Sequence, residues 1–229
     1  MTSVNVKLEK PLLWPMYSAF LAIGIVCSLL IAAVYLFTLP YVRANKEAAL
    51  NQAVVSVLGD VHSKHALNWQ DGKWIVSRAD QASSSDHVFA GYDAKGSLLG
   101  FAIAAKGMGY QDSIELMYGY APERQAITGI SILENRETPG LGNRIASDKN
   151  FLAQFQHLDV TLDASKQRLA NVVAVARKGQ KAKPWQVDSI SGATISSKAV
   201  ARIINDSAQR WLPRLQDDVK AFAIDSKEP

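Results

Sequence analysis

The sequence predicts an α+β protein with one N-terminal membrane helix, then a domain of antiparallel strands closed by a long C-terminal helix. Three observations carry that expectation: an uncharged opening stretch, strand-like segments clustered in the middle, and a helical apolar stripe near the end. Strands gathered ahead of a terminal helix, instead of alternating with helices, argue against a doubly wound parallel sheet.

The chain has 229 residues, 48% of them hydrophobic, and a formal charge of +4, enough for one anchor and one domain with its own core. The positive charge reads as spread out, with basic residues alternating with Asp and Glu and no Lys/Arg block. That pattern gives a nucleic-acid partner little support. Cys27 is the only cysteine, which excludes an intrachain disulfide and a multi-cysteine metal site. In its apolar setting it is a small hydrophobe. His62, His65, His87 and His157 show no metal-ligand spacing.

Residues 1–10 form a polar tail and residues 11–42 a transmembrane helix. From Pro11 to Val42 no residue is charged, and a bilayer core takes only about 20 apolar residues. Trp14, Tyr17, Tyr35 and Tyr41 lie towards the two ends, where aromatic belts form. A cleaved signal peptide would carry a shorter apolar region, about 7–15 residues, and a small-x-small cleavage site. No such site stands out. Lys7 and Lys10 nearly balance Arg43 and Lys46, so only the terminal amine favours a cytoplasmic N-terminus. Ser18, Gly24, Cys27 and Ser28 offer close-packing positions for neighbouring helices.

Residues 43–86 connect the anchor to the domain. The run 43–58 has Ala49, Leu50, Val54, Val57 and Leu58 at helical spacing, and either extends the membrane helix or forms a short helix beside the domain. Two polar, turn-rich patches follow, NWQDGKW and SRADQASSSD; the second reads as a surface loop.

The domain proper spans 87–229. HVFAGYDAKGSLLGFAIAAKG reads as a hairpin turning at Asp93–Gly96, and SIELMYGYA-PERQ-AITGISILEN as a second. In the last strand Ile130 and Ile132 face one way, Ser131 and Leu133 the other. NFLAQFQHL reads as a short helix and NVVAVARKG as a strand. The terminal helix begins near Ser196, carries the stripe Val200, Ile203, Ile204, Ala208, Trp211 and Leu212, and should stop or kink at Pro213.

Two stretches stand out as chemistry. In ETPGLGNR, Gly140 and Gly142 allow backbone angles closed to other residues and a close approach by a planar ligand. Pro139 stiffens the turn and holds Thr138 extended. An ordinary loop between strand and helix explains the same residues. No Gly-Lys-Ser/Thr follows, so this is not a P-loop. In DSISGATISSKAV, Ser196 or Ser197 would cap the helix. Thr194 would then lie just outside the first turn, where unpaired N–H groups and the helix dipole suit a phosphate, with Lys198 nearby. Simple capping with a small-residue turn explains six residues equally well.

Asp188-x-x-Ser191-Gly192-Ala193-Thr194 resembles the D-x-x-[S/T]-G-A-T acceptor site of flavin transferases. With the anchor and E-T-P-G-L-G before it, the whole chain resembles the FMN-binding G-type subunit of Rnf electron-transport complexes. It is also similar to the related C-type subunit of the sodium-translocating NADH:quinone reductase. The resemblance implies FMN joined by a phosphoester to Thr194, with Asp188 recognised by the transferase. It implies a cofactor site from Ser191, Gly192, Ala193, Ser196 and Ser197 together with Glu137, Thr138, Pro139, Gly140, Leu141 and Gly142.

Thr194 is then a tether, not a catalyst, and no catalytic residue or metal is expected. Backbone N–H groups of the ETPGLG loop would face the ring and favour its reduced forms. Tyr118 and Tyr120 could flank it, and Arg136, where relatives often carry histidine, would add charge if it points there. The implied setting is the bacterial inner membrane, with a cytoplasmic N-terminus and a periplasmic FMN domain. The protein would relay electrons within a redox-driven, ion-translocating complex of ferredoxin/NAD type, beside flavin and iron–sulfur subunits, with little turnover alone. Two alternatives remain: a membrane-tethered sensor or assembly domain binding a free anion, and a lone FMN carrier of another reductase system.

Overall fold

The computed structural model describes residues 13–77 and 87–224. The tail 1–10, Pro11, and nearly all of SRADQASSSD lie outside them. One helix, α1 (Leu13–Leu58, 46 residues), carries both the apolar run and residues 43–58, and continues through Pro40. Among the described residues it is the one helix long and apolar enough to cross a membrane. Apart from half-buried Leu39, its large side chains from Trp14 to Val42 are exposed. The hydroxyls of Ser18 and Ser28 bond back to the carbonyls of Pro15 (2.9 Å) and Gly24 (2.8 Å), so they cost nothing in an apolar surround.

The chain divides into two compact units, residues 1–48 and 49–229. The second is built on a seven-stranded antiparallel sheet in the order β2-β1-β3-β4-β5-β6-β7. Its strands are β1 (Ser63–Gln70), β2 (Lys73–Ser77), β3 (Val88–Tyr92), β4 (Leu98–Met108), β5 (Ser113–Ala121), β6 (Ala126–Asn135) and β7 (Leu158–Asp159). The hairpins expected at β3–β4 and β5–β6 are present, and Asp93 fixes the first turn by accepting from the N–H groups of Lys95 and Ser97, both at 2.8 Å.

NWQDGKW is not a plain loop: it is the β1–β2 hairpin, turning on Asp71 (φ 50°) and Gly72 (φ 78°). Two successive positive φ angles are the signature of the tight turn that an Asp-Gly pair favours. Conversely, the strand expected over NVVAVARKG shrinks to β8 (Ala174–Ala176). It pairs in parallel with β9 (Gln186–Asp188), away from the main sheet.

Both sheet faces are covered. On one, Phe101, Ile103, Leu116, Tyr118, Ile127 and Ile130 pack with the stripe of the C-terminal helix α3 (Thr194–Ile224), the short helix α2 (Lys149–Ala153) lying earlier in the chain. Each fully buried Ile or Leu is worth about 1.5–3 kcal/mol. On the other, Ala53, Val54 and Val57 of α1 meet Ala66, Phe89, Ala102, Ala104 and Met117. Small residues there let the helix approach: a Cβ on Gly119 would strike the Val57 carbonyl, which also accepts from Thr128 Oγ1 at 2.5 Å. Two-sided burial explains why β4 and β5 read as near-continuous apolar runs. Pro213 does not end α3. The helix continues to Ile224, and burial of Leu215 and Phe222 beyond the proline holds the final turns in place.

Candidate functional site

One end of the sheet gathers the end of β4, the start of β5, the end of β6 and the N-terminus of α3. Glu137 ties them together. The residue is only 4% exposed, and its carboxyl group accepts from the N–H groups of Tyr110 (2.8 Å) and Gln111 (3.1 Å) through Oε1, and from Ser196 Oγ (2.5 Å) through Oε2. The two glycines beside it make room. A Cβ on Gly142 would lie 2.6 Å from Glu137 Oε2 and 2.7 Å from Ser196 Oγ, and one on Gly109 would collide with Glu137 Oε1. Gly142 therefore admits a carboxylate and not, as its pattern suggested, a planar ligand.

Gly140 does take the expected left-handed conformation (φ 76°), with open space where a Cβ would stand. Two of the loop's own amides, however, are spent on the run itself. Gly140 N donates to Asn143 Oδ1 (2.8 Å), while Leu141 N (3.2 Å) and Asn143 N (3.3 Å) donate to the Thr138 carbonyl. The expectation that the loop's N–H groups face a flavin ring therefore does not extend to Gly140 and Leu141, whose amides already have partners. Thr138 Oγ1 bonds Gln111 Oε1 at 3.1 Å, and buried Ile145 pins the following 3-10 helix, Gly142–Ala146. Pro139 carries the chain into the turn, and Leu141 is left half out in solvent.

The SGAT turn lies against this loop: a Cβ on Gly192 (φ 83°) would touch Leu141 at 3.4 Å. Neither Ser196 nor Ser197 is the helix cap that the sequence predicts. Helix α3 begins at Thr194, so Ser196 and Ser197 sit inside its first turn, facing inward. Ser197 Oγ donates to the Ala193 carbonyl (2.9 Å) and accepts from Ile190 N (3.2 Å). Of the hydroxyl residues from Ser189 to Ser197, Ser189, Ser196 and Ser197 are buried, and Ser191 and Thr194 are exposed. Buried Ala193 anchors the turn from beneath.

The carboxylate of Asp188 is taken up by backbone N–H groups other than those of the SGAT turn. Its Oδ1 accepts from the N–H groups of Gln180 (3.1 Å) and Lys181 (2.9 Å), and its own N–H donates to Gln154 Oε1 (2.5 Å). A polar cleft of about 110 Å³ lies alongside, lined by Arg144, Asp148, Gln154, Lys178, Asp188 and Ser191 among others. That is too small for a flavin and suits an ion or a few waters. A larger depression at the turns of the β3–β4 and β5–β6 hairpins holds none of the expected site residues.

Arg144 went unremarked in the sequence, although it sits in the ETPGLGNR run. Its Nη1 donates to the Ser191 carbonyl (3.2 Å) and its Nη2 to Asp148 Oδ2 (3.1 Å), bringing a guanidinium to the SGAT turn. Arg136 instead pairs with Glu134 (3.3 Å) and Asp112 (3.7 Å) and is 70% exposed. Tyr118 and Tyr120 cannot flank a ring at the surface. Both are fully buried, bonded to Ser207 Oγ (3.0 Å) and Gln216 Oε1 (2.8 Å), and burial pushes the Tyr120 phenol well above its usual range. Exposed apolar side chains that do lie at the site are Leu141, Ile195 and Tyr110.

A family model described as "FMN-binding domain" matches residues 109–209, which takes in Glu137, the glycine loop and the SGAT turn. The G-type subunit of the ion-translocating oxidoreductase complex of Methanosarcina acetivorans is 34% identical over 52% of this chain and 55% of its own length. The G-type subunit of the proton-translocating ferredoxin:NAD(+) oxidoreductase complex of Clostridium ljungdahlii is 26% identical over 81% of this chain and 84% of its own. Over these spans the chain is similar to G-type subunits of ion-translocating oxidoreductase complexes. The crystal structure of Shewanella oneidensis NqrC superposes with a TM-score of 0.62 at 19% identity, covering 78% of this chain and 99% of that one, a likeness of fold. The region matched by the FMN-binding domain model holds the exposed Thr194, the inward-facing serines and the Glu137 clamp in one place.

Proposed function

We propose that this chain is the membrane-anchored flavoprotein component of a redox-driven, ion-translocating complex, with FMN held as a phosphoester on Thr194. Similarity to G-type subunits of ion-translocating oxidoreductase complexes and the match to an FMN-binding domain support the electron-relay role. The observation that carries the attachment is accessibility: of five hydroxyl residues near the turn only two are exposed, and Thr194 alone opens a 31-residue helix. The first-turn N–H groups and the dipole favour a phosphate at that position.

The residues fit the group. Arg144, held by Asp148 and the Ser191 carbonyl, adds positive charge beside the turn. Leu141, Ile195 and Tyr110 offer apolar and aromatic surface to a planar ring. Glu137 fixes the loop against Ser196, so the tether and the ring's surroundings move as one body. When bound, FMN supplies one- or two-electron chemistry, and the protein supplies position and electrostatics.

Attachment needs FAD and a flavin transferase. A bond forms from Thr194 Oγ to the FMN phosphorus, the pyrophosphate P–O bond breaks, and AMP leaves with that electron pair. The hydroxyl proton passes to a base on the transferase. Asp188 is the residue we assign to transferase recognition. Residues 11–42 anchor the chain in the bacterial inner membrane, with residues 1–10 cytoplasmic and the FMN domain, 87–229, periplasmic. Partners are the other membrane subunits, including flavin and iron–sulfur proteins, and the chain alone should turn over little.

A denaturing gel tests the reading. Chain co-expressed with a flavin transferase should fluoresce under ultraviolet light, and Thr194→Val should be dark while still folded. A dark wild-type band would leave a freely bound anion at the same helix end as the better account.

A further inference from the structure

The loop joining β8 to β9, RKGQKAK, exposes four cations, Arg177, Lys178, Lys181 and Lys183, within seven residues. The spread-out charge read from the sequence overlooks it. None of the four forms an ion pair among the described residues; Lys183 alone has a charge partner of another kind, the Trp185 ring at 6.0 Å. Left to itself such a loop would splay to relieve its repulsion.

It is instead pinned at four consecutive amides. Asp188 Oδ1 takes the N–H groups of Gln180 and Lys181, and Gln186 Oε1 those of Ala182 (3.0 Å) and Lys183 (3.1 Å). The β8–β9 pair clamps both ends. Two polar side chains thus hold like charges together, which stability alone does not call for. The clamp also fixes where they sit: Lys178 and Arg144 line the same cleft as Ser191, beside the SGAT turn.

We propose that this pinned basic loop is a docking surface for a carboxylate-rich face of a redox partner. The inference rests on the electron-relay reading. Electrons enter or leave at the flavin, so a partner must come to this turn. Redox encounters bury little area and depend on complementary charge. The exposed apolar residues Leu141 and Ile195 at the turn, with Arg144 and Lys178 lining the cleft beside Ser191, match the apolar-centre, polar-rim layout of protein interfaces. A lipid surface lacks a redox centre to bring to the same place.

The test is carbodiimide cross-linking of the purified, flavin-loaded complex, since the reagent joins lysines only to carboxylates in contact. Lys178, Lys181 or Lys183 should link to Asp or Glu of another protein of the complex. The Lys106–Glu115 pair, 3.9 Å apart, is the internal control. Lys181→Glu with Lys183→Glu should remove the links from those two lysines and cut electron transfer through the complex about tenfold at low salt. In-gel flavin fluorescence should stay at the wild-type level. Control links without intersubunit links from the loop would overturn the proposal. So would an effect of the double variant that appears only in vesicles of anionic lipid and vanishes in neutral ones. A dark band would instead defeat the flavoprotein reading itself.

Discussion

Glu137 offers a perturbation whose size follows from the contacts. Replacing it by Ala removes the acceptor of two N–H groups and one hydroxyl. Tyr110 and Gln111 are exposed, so water can recover most of their bonding, at a loss of about 0.5–1 kcal/mol each. Ser196 is buried and is left unpaired, which costs about 1–3 kcal/mol. The sum is about 3 kcal/mol, or about 6–12 °C in Tm for a domain of this size. Glu137→Gln keeps one acceptor oxygen for the backbone and turns an amide N–H towards a hydroxyl that can rotate to accept it. It should cost about 1 kcal/mol. Thermal unfolding of the full chain in detergent, followed by tryptophan fluorescence, measures both variants. Ser196→Ala in the Glu137→Ala background should add little, because the pair acts as one unit. A Gln variant as unstable as Ala, or an Ala variant within about 2 °C of wild type, would refute the clamp.

Gly142→Ala should destabilise by about 1–3 kcal/mol, because its methyl has nowhere to go except into Glu137 and Ser196; urea unfolding checks it. Gly140→Ala, with a positive φ but open space, should cost only about 1 kcal/mol, and Gly140→Asn less. Asp188→Ala should speed amide hydrogen exchange at Gln180 and Lys181, the two N–H groups its carboxylate holds, while β4 and β5 exchange stays slow. Tyr120 gives a pH prediction. Its folded pKa lies above the unfolded value of about 10, so the unfolded state releases its proton first and stability falls as pH rises past about 10. Tyr120→Phe should flatten that fall in an alkaline unfolding series, and an unchanged slope would show that another group causes it.

The two central hairpins were legible because their strands run apolar between clear turn residues, and the terminal helix because its apolar stripe keeps helical period. The β1–β2 hairpin was missed although Asp71-Gly72 signals it, since the polar residues around that turn look like loop. Pro213 misled because local propensity yields to the burial of Leu215 and Phe222. At the candidate site, the sequence singled out ETPGLG and SGAT, which the fold brings side by side, but not the jobs inside them. Nothing local reveals that Glu137 reaches across to Tyr110 and Ser196, or that Gly142 exists to admit it. Arg144 is one charged residue among many until folding sets it against the Ser191 carbonyl. The basic loop escaped because charge was read over the whole chain, where Asp and Glu elsewhere dilute it.

The account centres on one oxygen atom. Peptide mapping by mass spectrometry, on chain co-expressed with a flavin transferase and digested after denaturation, would locate the adduct. The account predicts the mass of FMN, less water, on the peptide containing Thr194, with fragment ions placing it on that residue. An adduct on Ser191, or an unmodified Thr194 in chain that retains its flavin, would contradict it.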